Sequence, residues 1–325
     1  MKALITGISG FVGSHLAEYL LNNTDWQVAG TVYGPYGNIK NLCGTLELYP
    51  AELSRLDVVS FIMEMSHPDY IFHLAAQPLP SVSRRDPWGT LETNIRMQLN
   101  ILQAVVDLKM DNCRVLVVGS SEEYGLVHPE ELPIKETTPF RPLNPYAVSK
   151  IGQDLLGLQY YLNYGVQAIR VRPFNHIGPR QRPGFVAPDF AQQIAEAEAG
   201  LREPVVRVGN LEARRDFTDV RDVVRAYHLA ITMGQAGEVY NIGSERAHSI
   251  QELLDTLVAM STVPITVERD PARMRPSDMP LFIADCSKFR VQTGWQPIIP
   301  FEDTLRDVLD YWRAQVADKR EIAPQ

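Results

Sequence analysis

Short apolar runs alternate with amphipathic helical patterns through the first half of the chain, and this alternation limits the fold more than any other feature. Five runs are typical of buried parallel strands, at residues 2–6, 27–31, 70–74, 114–119 and 167–172. Helical patterns separate most of them, at residues 11–22, 54–65, 91–108 and 145–164, and a weaker run at 46–49 adds a further strand. Because helices that join parallel strands form right-handed crossovers, the pattern predicts an α/β fold with a doubly wound parallel sheet.

The alternation stops after Arg172, where loops rich in Pro, Gly and Arg occupy residues 174–185 and 270–280. We therefore expect a second, smaller lobe. Four more elements are predicted, namely a helix at 219–233, a strand at 238–242, and helices at 250–260 and 301–316. Ser249 and Glu252 form a capping-box pattern at the start of the third of these. The predicted domains are a sheet domain, residues 1–172 and 216–243, and a second domain, residues 173–215 and 244–325.

The composition argues against several classes of protein. Among 325 residues, 31 lysines and arginines stand against 39 acidic residues, and this net charge of −8 speaks against a nucleic-acid or membrane-surface partner. No apolar stretch approaches the ~20 residues of a membrane span, and the N-terminal apolar run is too short for a signal peptide. Cys43, Cys113 and Cys286 lie far apart, so neither a disulfide framework nor a metal site is predicted, and a reducing cytoplasm is expected.

Three glycines follow the first predicted strand and open the first predicted helix. Such a turn lets the backbone approach a pyrophosphate, while the helix N-terminus offers unpaired N–H groups and the positive end of its dipole. We therefore predict a Rossmann-type dinucleotide site, and a glycine turn without a ligand is the alternative. The predicted residues are Gly7, Gly10, Phe11, Val12 and Gly13.

Three other segments are candidates for contact with the dinucleotide. Thr31 ends the second strand with neither the carboxylate that favours NAD nor the arginine that favours NADP, so the residues leave the preference open. Glu52 and Leu53 follow the weak third strand and could face the adenine, although an ordinary acidic residue at a helix start explains Glu52 equally well. Small residues after the fourth strand suit a chain that passes close to a cofactor, and tight packing is the alternative. This third segment is Leu74, Ala75 and Ala76.

A serine, a tyrosine and a lysine form the predicted catalytic site. Ser120 ends the fifth strand, and Tyr146 and Lys150 share one face of a predicted helix. A phenol titrates near pH ~10 in water, but a fixed ammonium and a nearby ribose hydroxyl would favour its anion and lower its pKa toward neutrality. Tyr146 could then exchange a proton with a carbonyl oxygen that Ser120 also hydrogen-bonds. A surface Tyr/Lys pair is the alternative, and the glycine turn together with Ser120 argues against it.

These motifs resemble those of the extended short-chain dehydrogenases/reductases, in the branch that modifies nucleotide sugars. The resemblance runs from Gly7 to about Trp312. The residues that it implies to be catalytic are Ser120, Tyr146 and Lys150. Those that it implies to contact the cofactor, in addition to the glycine turn, are Tyr146, Lys150 and Pro173. It further implies NADPH as the cofactor, with NADH as the alternative, and a homodimer formed through helices 91–108 and 145–164, whereas a buried helix in a monomer is the alternative.

Loops of the second lobe are similar to those of GDP-4-keto-6-deoxy-D-mannose reductases, which make GDP-D-rhamnose by reducing the 4-keto group. The similar segments are residues 174–179, 184–186, 209–216 and 270–278. Arginine forks at 214–215 and 273–275 suit a diphosphate, and charged, solvated loops are the alternative. The resemblance implies that a GDP-sugar is held by Ser121, Glu122, Asn175, Val186, Arg215 and Arg275, with Asp278 at the guanine edge. It thereby makes the second domain the nucleotide-sugar-binding domain and the sheet domain the dinucleotide-binding domain.

Glu122 points to a different activity. In the related GDP-mannose 4,6-dehydratases a carboxylate at this position takes the C5 proton, so Glu122 is also a catalytic candidate, and dehydratase or dual activity is an alternative. Against it, the chain lacks the arginine-bearing loop of those dehydratases and has Ile177 and Gly178 where they have a Glu-Ser pair. We therefore predict NAD(P)H-dependent reduction of the 4-keto group. A nucleotide-sugar 4-epimerase and a non-catalytic dinucleotide sensor are further alternatives.

Overall fold

The computed structural model describes residues 1–274 and 279–322, with side chains up to residue 318 in the last helix. The strands are β1 (Lys2–Thr6), β2 (Gln27–Val32), β3 (Glu47–Pro50), β4 (Tyr70–His73), β5 (Arg114–Val118), β6 (Gln167–Pro173), β7 (Asn175–Ile177), β8 (Val205–Val208), β9 (Arg214–Asp219), β10 (Val239–Ile242), β11 (Ala247–Ser249), β12 (Thr266–Arg269) and β13 (Leu281–Phe282). The helices are α1 (Phe11–Asn23), α2 (Leu56–Ser66), α3 (Pro80–Arg85), α4 (Pro87–Asp107), α5 (Pro145–Tyr164), α6 (Val186–Glu198), α7 (Val220–Met233), α8 (Ile250–Ala259), α9 (Ser287–Thr293) and α10 (Phe301–Ile322).

A parallel sheet forms the centre of the described structure, with the strands in the order β3-β2-β1-β4-β5-β6-β10. Side chains alternate between its two faces, because successive residues of a strand point in opposite directions. Ala3 and Ile5 pack on the side of α1 and α7, whereas Leu4 packs on the side of α2 and α4. Helices therefore cover both faces, and the predicted doubly wound sheet of Rossmann type is confirmed.

Smaller sheets form the rest of the described structure. In one of them β9 pairs with β7, β11 and β13, and in the other β8 pairs with β12. Helices α6, α8 and α10 pack together beside them, around an apolar cluster that includes Ile194, Leu254 and Leu309. The domain boundaries expected at residues 172, 215 and 243 stay a prediction.

One expectation for this part of the chain was wrong. The segment expected to be loop from 174 to 185 contains β7, which pairs with Phe217 to Asp219 of β9. Residues 214–216 belong to β9, so the alternative of a charged loop at this position does not hold. Strands of three to six residues carry too little periodicity to be recognised when their partners are distant in sequence. In the part of the chain that the structure describes, no helix is both long and apolar enough to cross a membrane.

Candidate active site

Strands β1 and β4 are neighbours at the point where the strand order reverses. A threonine at the carboxyl end of β1 is hydrogen-bonded to the segment that follows β4. The hydroxyl of Thr6 accepts hydrogen bonds from the backbone N–H groups of Leu74, at 3.0 Å, and Ala75, at 3.1 Å. It also lies 2.9 Å from Nδ1 of His73, whose pKa is lowered to about 3 by burial and by the charge of Lys150. Thr6 was missed by the sequence analysis, because no local pattern marks a hydroxyl at the end of a buried strand.

The glycine turn lies against the segment that follows β4. Gly7 has a φ of +67°, and a Cβ at this position would lie 3.1 Å from Cα of Ala75. Gly13 is pressed against the turn itself, because a Cβ there would overlap the carbonyl oxygen of Gly7. Gly10 begins α1 without a side-chain cap and without an acidic residue in the first turn. No acidic side chain of α1 therefore occupies the N–H groups of its first turn. These groups are suited to bind the pyrophosphate of a dinucleotide.

The other residues expected near the cofactor have internal contacts. The hydroxyl of Thr31 accepts a hydrogen bond from N–H of Gly7 at 3.2 Å, so it shapes the turn. Leu53 packs into the core, whereas Glu52 is exposed and accepts a hydrogen bond from the hydroxyl of Ser54 at 2.8 Å. Contact of Thr31, Glu52 and Leu53 with a cofactor stays a prediction. The remaining candidates are partly or fully buried, namely Phe11, Val12, Leu74, Ala75, Ala76 and Pro173.

The predicted catalytic residues come together beyond the end of β5. The hydroxyl of Ser120 hydrogen-bonds the phenol of Tyr146 and accepts the N–H of Glu122 at 3.2 Å. Lys150 lies one turn after Tyr146 on α5, and its Nζ donates a hydrogen bond to the carbonyl oxygen of Val118 at 2.9 Å. Ser120, Tyr146 and Lys150 are 9%, 9% and 5% exposed. The three side chains therefore form a largely desolvated polar group, in which electrostatic interactions are stronger than in water.

Burial controls the pKa values of the Tyr146–Lys150 pair. Burial raises the pKa of the Tyr146 phenol, and the hydrogen bond with Ser120 only partly offsets this effect. Burial also lowers the pKa of Lys150 to about 8, against the opposing charge of Glu123. The groups of the chain itself therefore hold the phenol pKa above its ordinary value, because burial outweighs the hydrogen bond with Ser120. The shift toward neutrality expected from Lys150 together with a ribose hydroxyl stays a prediction. Tyr146 is protonated at neutral pH, as a proton donor must be.

The carboxylate of Glu122 is hydrogen-bonded to the residue that caps α5, the helix that carries Tyr146. Asn144 caps α5, since its Oδ1 accepts the N–H of Ala147 at 2.9 Å. Its Nδ2 donates a hydrogen bond to the carboxylate of Glu122 at 3.0 Å. The charge of Glu122 raises the pKa of Tyr146, so this carboxylate lies within electrostatic reach of the phenol. The preceding residue, Ser121, is buried.

A buried amide joins three elements around the catalytic residues. Oδ1 of Asn94, on α4, accepts the N–H of Gln77 at 2.8 Å, in the segment after β4. Nδ2 of Asn94 donates to the hydroxyl of Ser149 at 2.9 Å, next to Lys150. Asn94 thus fixes α5 to the segment that follows β4. An isolated asparagine in a helical pattern gave no signal by which the sequence could single it out.

Strand β7 and the segment that follows it are fixed on helix α1. The ring of His176 stacks on Phe11, with centroids 6.0 Å apart and an interplanar angle of 10°. Nε2 of His15 donates to the carbonyl oxygen of Pro179 at 2.9 Å, and Nδ1 accepts from Arg180 at 2.7 Å. Both partners require a neutral ring, and burial and Arg180 lower the pKa of His15 to about 4. The glycine-turn helix therefore also supports the segment expected to face the substrate.

The predicted substrate residues are only partly described. Asn175 is exposed at the start of β7, and the half-buried Val186 begins α6. Nη1 of Arg215 donates to the carbonyl oxygen of Met279 at 2.6 Å. Arg275 and Asp278 lie outside the described residues. Contact of these residues with a GDP-sugar stays a prediction. Within residues 1–274 and 279–322, no cluster of His, Cys, Asp or Glu side chains is placed to hold a metal ion.

Comparison with known proteins identifies the family. A model of the GDP-mannose 4,6 dehydratase family matches residues 4–308. The chain is 35% identical over 319 residues to the GDP-6-deoxy-D-mannose reductase of Pseudomonas aeruginosa, and the match covers 98% of this chain and 99% of that protein. The chain belongs to the GDP-mannose 4,6-dehydratase family.

Other members and solved structures support this assignment. GDP-mannose 4,6 dehydratase 1 of Arabidopsis thaliana is 30% identical, over 95% of this chain and 88% of that protein. The structure of RMD from Pseudomonas aeruginosa complexed with NADPH superposes with a TM-score of 0.85 at 34% identity, over 97% of this chain and 99% of that one. UDP-glucose 4-epimerase of Thermotoga maritima with UDP-glucose gives a TM-score of 0.86 at 27% identity, over 97% and 100% of the two chains. The resemblance to extended short-chain dehydrogenases/reductases is confirmed.

Proposed function

We propose that this chain reduces the 4-keto group of GDP-4-keto-6-deoxy-D-mannose to give GDP-D-rhamnose, with NADPH as the reductant. One observation carries the proposal. A phenol that is protonated at neutral pH, Tyr146, is hydrogen-bonded to Ser120 at the sheet edge that carries the glycine turn. The substrate follows from the 35% identity to a GDP-6-deoxy-D-mannose reductase over almost the whole chain.

The described residues fit a dinucleotide. The uncapped N-terminus of α1 at Gly10 would hold the pyrophosphate, and Tyr146 and Lys150 would face the nicotinamide ribose. Residues 33–46 contain no acidic residue and include Lys40, so this segment offers nothing to repel a 2′-phosphate. The solved structure of the Pseudomonas aeruginosa relative contains NADPH, which further supports this choice over NADH.

The cofactor would supply the hydride to C4, and the protein would supply the proton and the orientation. Tyr146 donates its phenolic proton to the C4 oxygen, which becomes a hydroxyl. Ser120 donates a hydrogen bond that stabilises the developing negative charge, first on the sugar oxygen and then on the phenolate. Lys150 adds positive charge near the phenol, and its bond to Val118 fixes that charge at the end of β5. Burial of all three groups strengthens each of these interactions.

The GDP moiety would bind to the segments that leave the sheet after β6. We propose that Asn175, Val186 and Arg215 contact it, together with Arg275 and Asp278. The guanidinium of Arg215 is oriented by the carbonyl oxygen of Met279, which limits the rotamers that it must lose on binding a diphosphate. Ser121 and Glu122 would face the sugar from the turn after β5.

One observation favours a second candidate function, 4,6-dehydration of GDP-mannose. Glu122 is held by Asn144 within electrostatic reach of Tyr146, where a base for the C5 proton would be needed. A reduction at C4 has no evident use for such a base. The protein could therefore form the keto sugar as well as reduce it.

Two reactions read by mass spectrometry test both functions. The chain is given the 4-keto-6-deoxy sugar nucleotide with NADPH in one reaction, and GDP-mannose with NADP⁺ in the other. A gain of two hydrogens in the first reaction is expected. If the first reaction yields nothing while water is lost in the second, the protein is a dehydratase. A Tyr146→Phe variant shows whether either product depends on the site.

We also propose that the chain forms a homodimer through α4 and α5 and acts in the cytoplasm. Leu99 on α4 and Leu155 and Leu162 on α5 are 38%, 48% and 67% exposed, so the paired helices carry apolar surface that a second copy of the chain would cover. The three cysteines are free thiols, as the cytoplasm would keep them.

A further inference from the structure

Glu123, next to the predicted base Glu122, is completely buried and has no part in the chemistry described above. It closes a 3-10 turn over residues 121–123 that Ser120 caps. Its Oε1 accepts the backbone N–H of Ser120 at 2.7 Å. A Cβ on Gly119 would collide with the same oxygen, so the chain has a glycine where the carboxyl group needs room.

The second carboxyl oxygen of Glu123 lies beside a cluster of buried charged side chains. Its Oε2 lies 3.1 Å from Nε of Arg172 on β6. Arg172 also pairs with Asp154 of α5, at 2.5 Å, and Asp154 pairs with Arg170 at 2.5 Å. All four side chains are less than a tenth exposed. The serine is thus connected through one carboxyl group to both the strand and the helix that flank it.

The same carboxyl group is also linked to the catalytic pair. Burial and the charge of Asp154 raise the pKa of Glu123 well above its usual value. Its charge acts on both Tyr146 and Lys150. Glu123 is thus within electrostatic reach of the two groups that would exchange protons, although it is shielded from solvent.

We propose that Glu123 is a positioning residue of the catalytic site, which acts through Ser120 to hold the serine hydroxyl against the phenol of Tyr146. This role rests on the proposed reductase function. The backbone of Ser120 is extended, with φ −162° and ψ 148°, and the acceptor on its N–H fixes the direction in which the hydroxyl leaves the chain. A displacement of about 1 Å at such a group can cost about 10²-fold in rate.

A neighbouring turn offers a matched control. Glu131 ends a 3-10 turn over residues 129–131, where its carboxylate accepts the N–H of His128 at 2.8 Å and pairs with Arg141 at 2.7 Å. Glu131 therefore closes its turn as Glu123 does and also has an arginine partner, but its side chain is partly exposed whereas that of Glu123 is buried. Glu131 has no contact with Ser120 or Tyr146 among its recorded bonds. Replacing it reports the effect of losing a turn-closing carboxylate alone.

The test compares Glu123→Leu, Glu123→Gln and Glu131→Leu. Leucine removes the acceptor, whereas glutamine keeps an acceptor for the N–H of Ser120 in a side chain of the same length. The readouts are the ¹³Cζ resonance of Tyr146 at pH 7, assigned with Tyr146→Phe, and kcat and KM with NADPH. We expect Glu123→Leu to move the resonance and to lower kcat by about 10- to 100-fold, with KM for NADPH within about twofold. Glu123→Gln should keep the resonance and kcat of wild type. Glu131→Leu should change neither the resonance nor kcat.

The resonance decides the inference independently of turnover. An unmoved resonance in folded Glu123→Leu would overturn it, and so would an equal change in Glu131→Leu. Should Glu123→Leu fail to fold, Glu123→Asp replaces it, because a side chain one methylene shorter draws the carboxylate away from the N–H of Ser120. An inactive wild type would refute the proposed reductase function, while the resonance would still show whether Glu123 positions Ser120.

Discussion

The ammonium of Lys150 lies 5.9 Å from the centre of the Tyr146 ring, and its hydrogen bond goes to the carbonyl oxygen of Val118. The ammonium is therefore within range of a cation–π contact with the ring, while the pKa of each side chain is determined mainly by burial. This arrangement keeps the phenol protonated at neutral pH, which suits donation of a proton to a ketone.

Replacing Tyr146 with Phe should remove that proton donor and leave the packing intact. We expect turnover to fall by about 10²- to 10⁴-fold, the usual contribution of a positioned acid. NADPH affinity, measured by fluorescence titration, should change little, because the ring and Lys150 remain. Turnover within a few-fold of wild type would show that another group donates the proton.

Lys150 should make stability depend on pH above neutrality. Its pKa is about 8 in the folded protein, against an ordinary value of 10.5. Between these values the unfolded chain binds a proton that the folded chain does not, so this contribution stabilises the fold as the pH rises. Relative to Lys150→Met, the unfolding free energy of wild type should increase by about 1.4 kcal/mol per pH unit in this window. Urea titrations of both proteins at several pH values measure this increase. A difference in unfolding free energy that stays constant with pH would contradict the prediction.

Two buried histidines should destabilise the protein in acid. The folded pKa values are about 4 for His15 and about 3 for His73, whereas an ordinary histidine titrates at 6.5. Below that value the unfolded imidazoles take up protons that the folded ones do not, so stability falls as the pH falls. Each contributes a slope of about 1.4 kcal/mol per pH unit. In urea unfolding between pH 6.5 and 4.5, the unfolding free energy of His15→Gln should fall less steeply than that of wild type, by about 1.4 kcal/mol per pH unit.

Glu122→Gln should separate the two candidate functions. The amide can still accept the hydrogen bond from Asn144, but it cannot take a proton from C5. We expect reduction of the keto sugar to stay within a few-fold of wild type, and any loss of water from GDP-mannose to disappear. Product masses and initial rates measure both, and a reduction rate lowered by about 10²-fold or more would instead place Glu122 in the reductase mechanism.

A charged residue introduced on α5 should dissociate the proposed dimer into monomers. Leu162 is 67% exposed in the single chain, so Leu162→Glu would bury a carboxylate in the interface and leave the monomer unaffected. Light scattering should give the mass of two chains for wild type and of one for the variant. Val291→Glu, at a residue of α9 that is 88% exposed, should remain a dimer. A monomeric wild type would remove this part of the proposal.

The sheet and the catalytic group could be predicted because their signals are local. Strand β1 and helix α5 have the predicted bounds, since a buried strand is a continuous apolar run and α5 has both a capping asparagine and a terminal glycine. Ser120 and the Tyr146–Lys150 pair follow from strand ends and helical spacing. Their proximity then results from parallel strands ending at one edge.

The remaining features depend on contacts between distant segments. Helix α6 was not predicted, because its buried face consists largely of alanines and carries Pro188 near its start. The pKa of Tyr146 could not be inferred from sequence, since it depends on how completely the folded chain excludes water. Thr6, Asn94 and Glu123 act through single hydrogen bonds to residues that no spacing rule connects to them.

Helix α1 begins at the glycine turn, where Phe11 stacks on His176 of β7, and one turn later His15 binds the segment after β7. An engineer who grafts this helix from a relative alone would break the aromatic pair and leave Arg180 without its acceptor on His15. The helix and residues 176–180 should therefore be exchanged as one cassette, even though more than 150 positions of chain separate them.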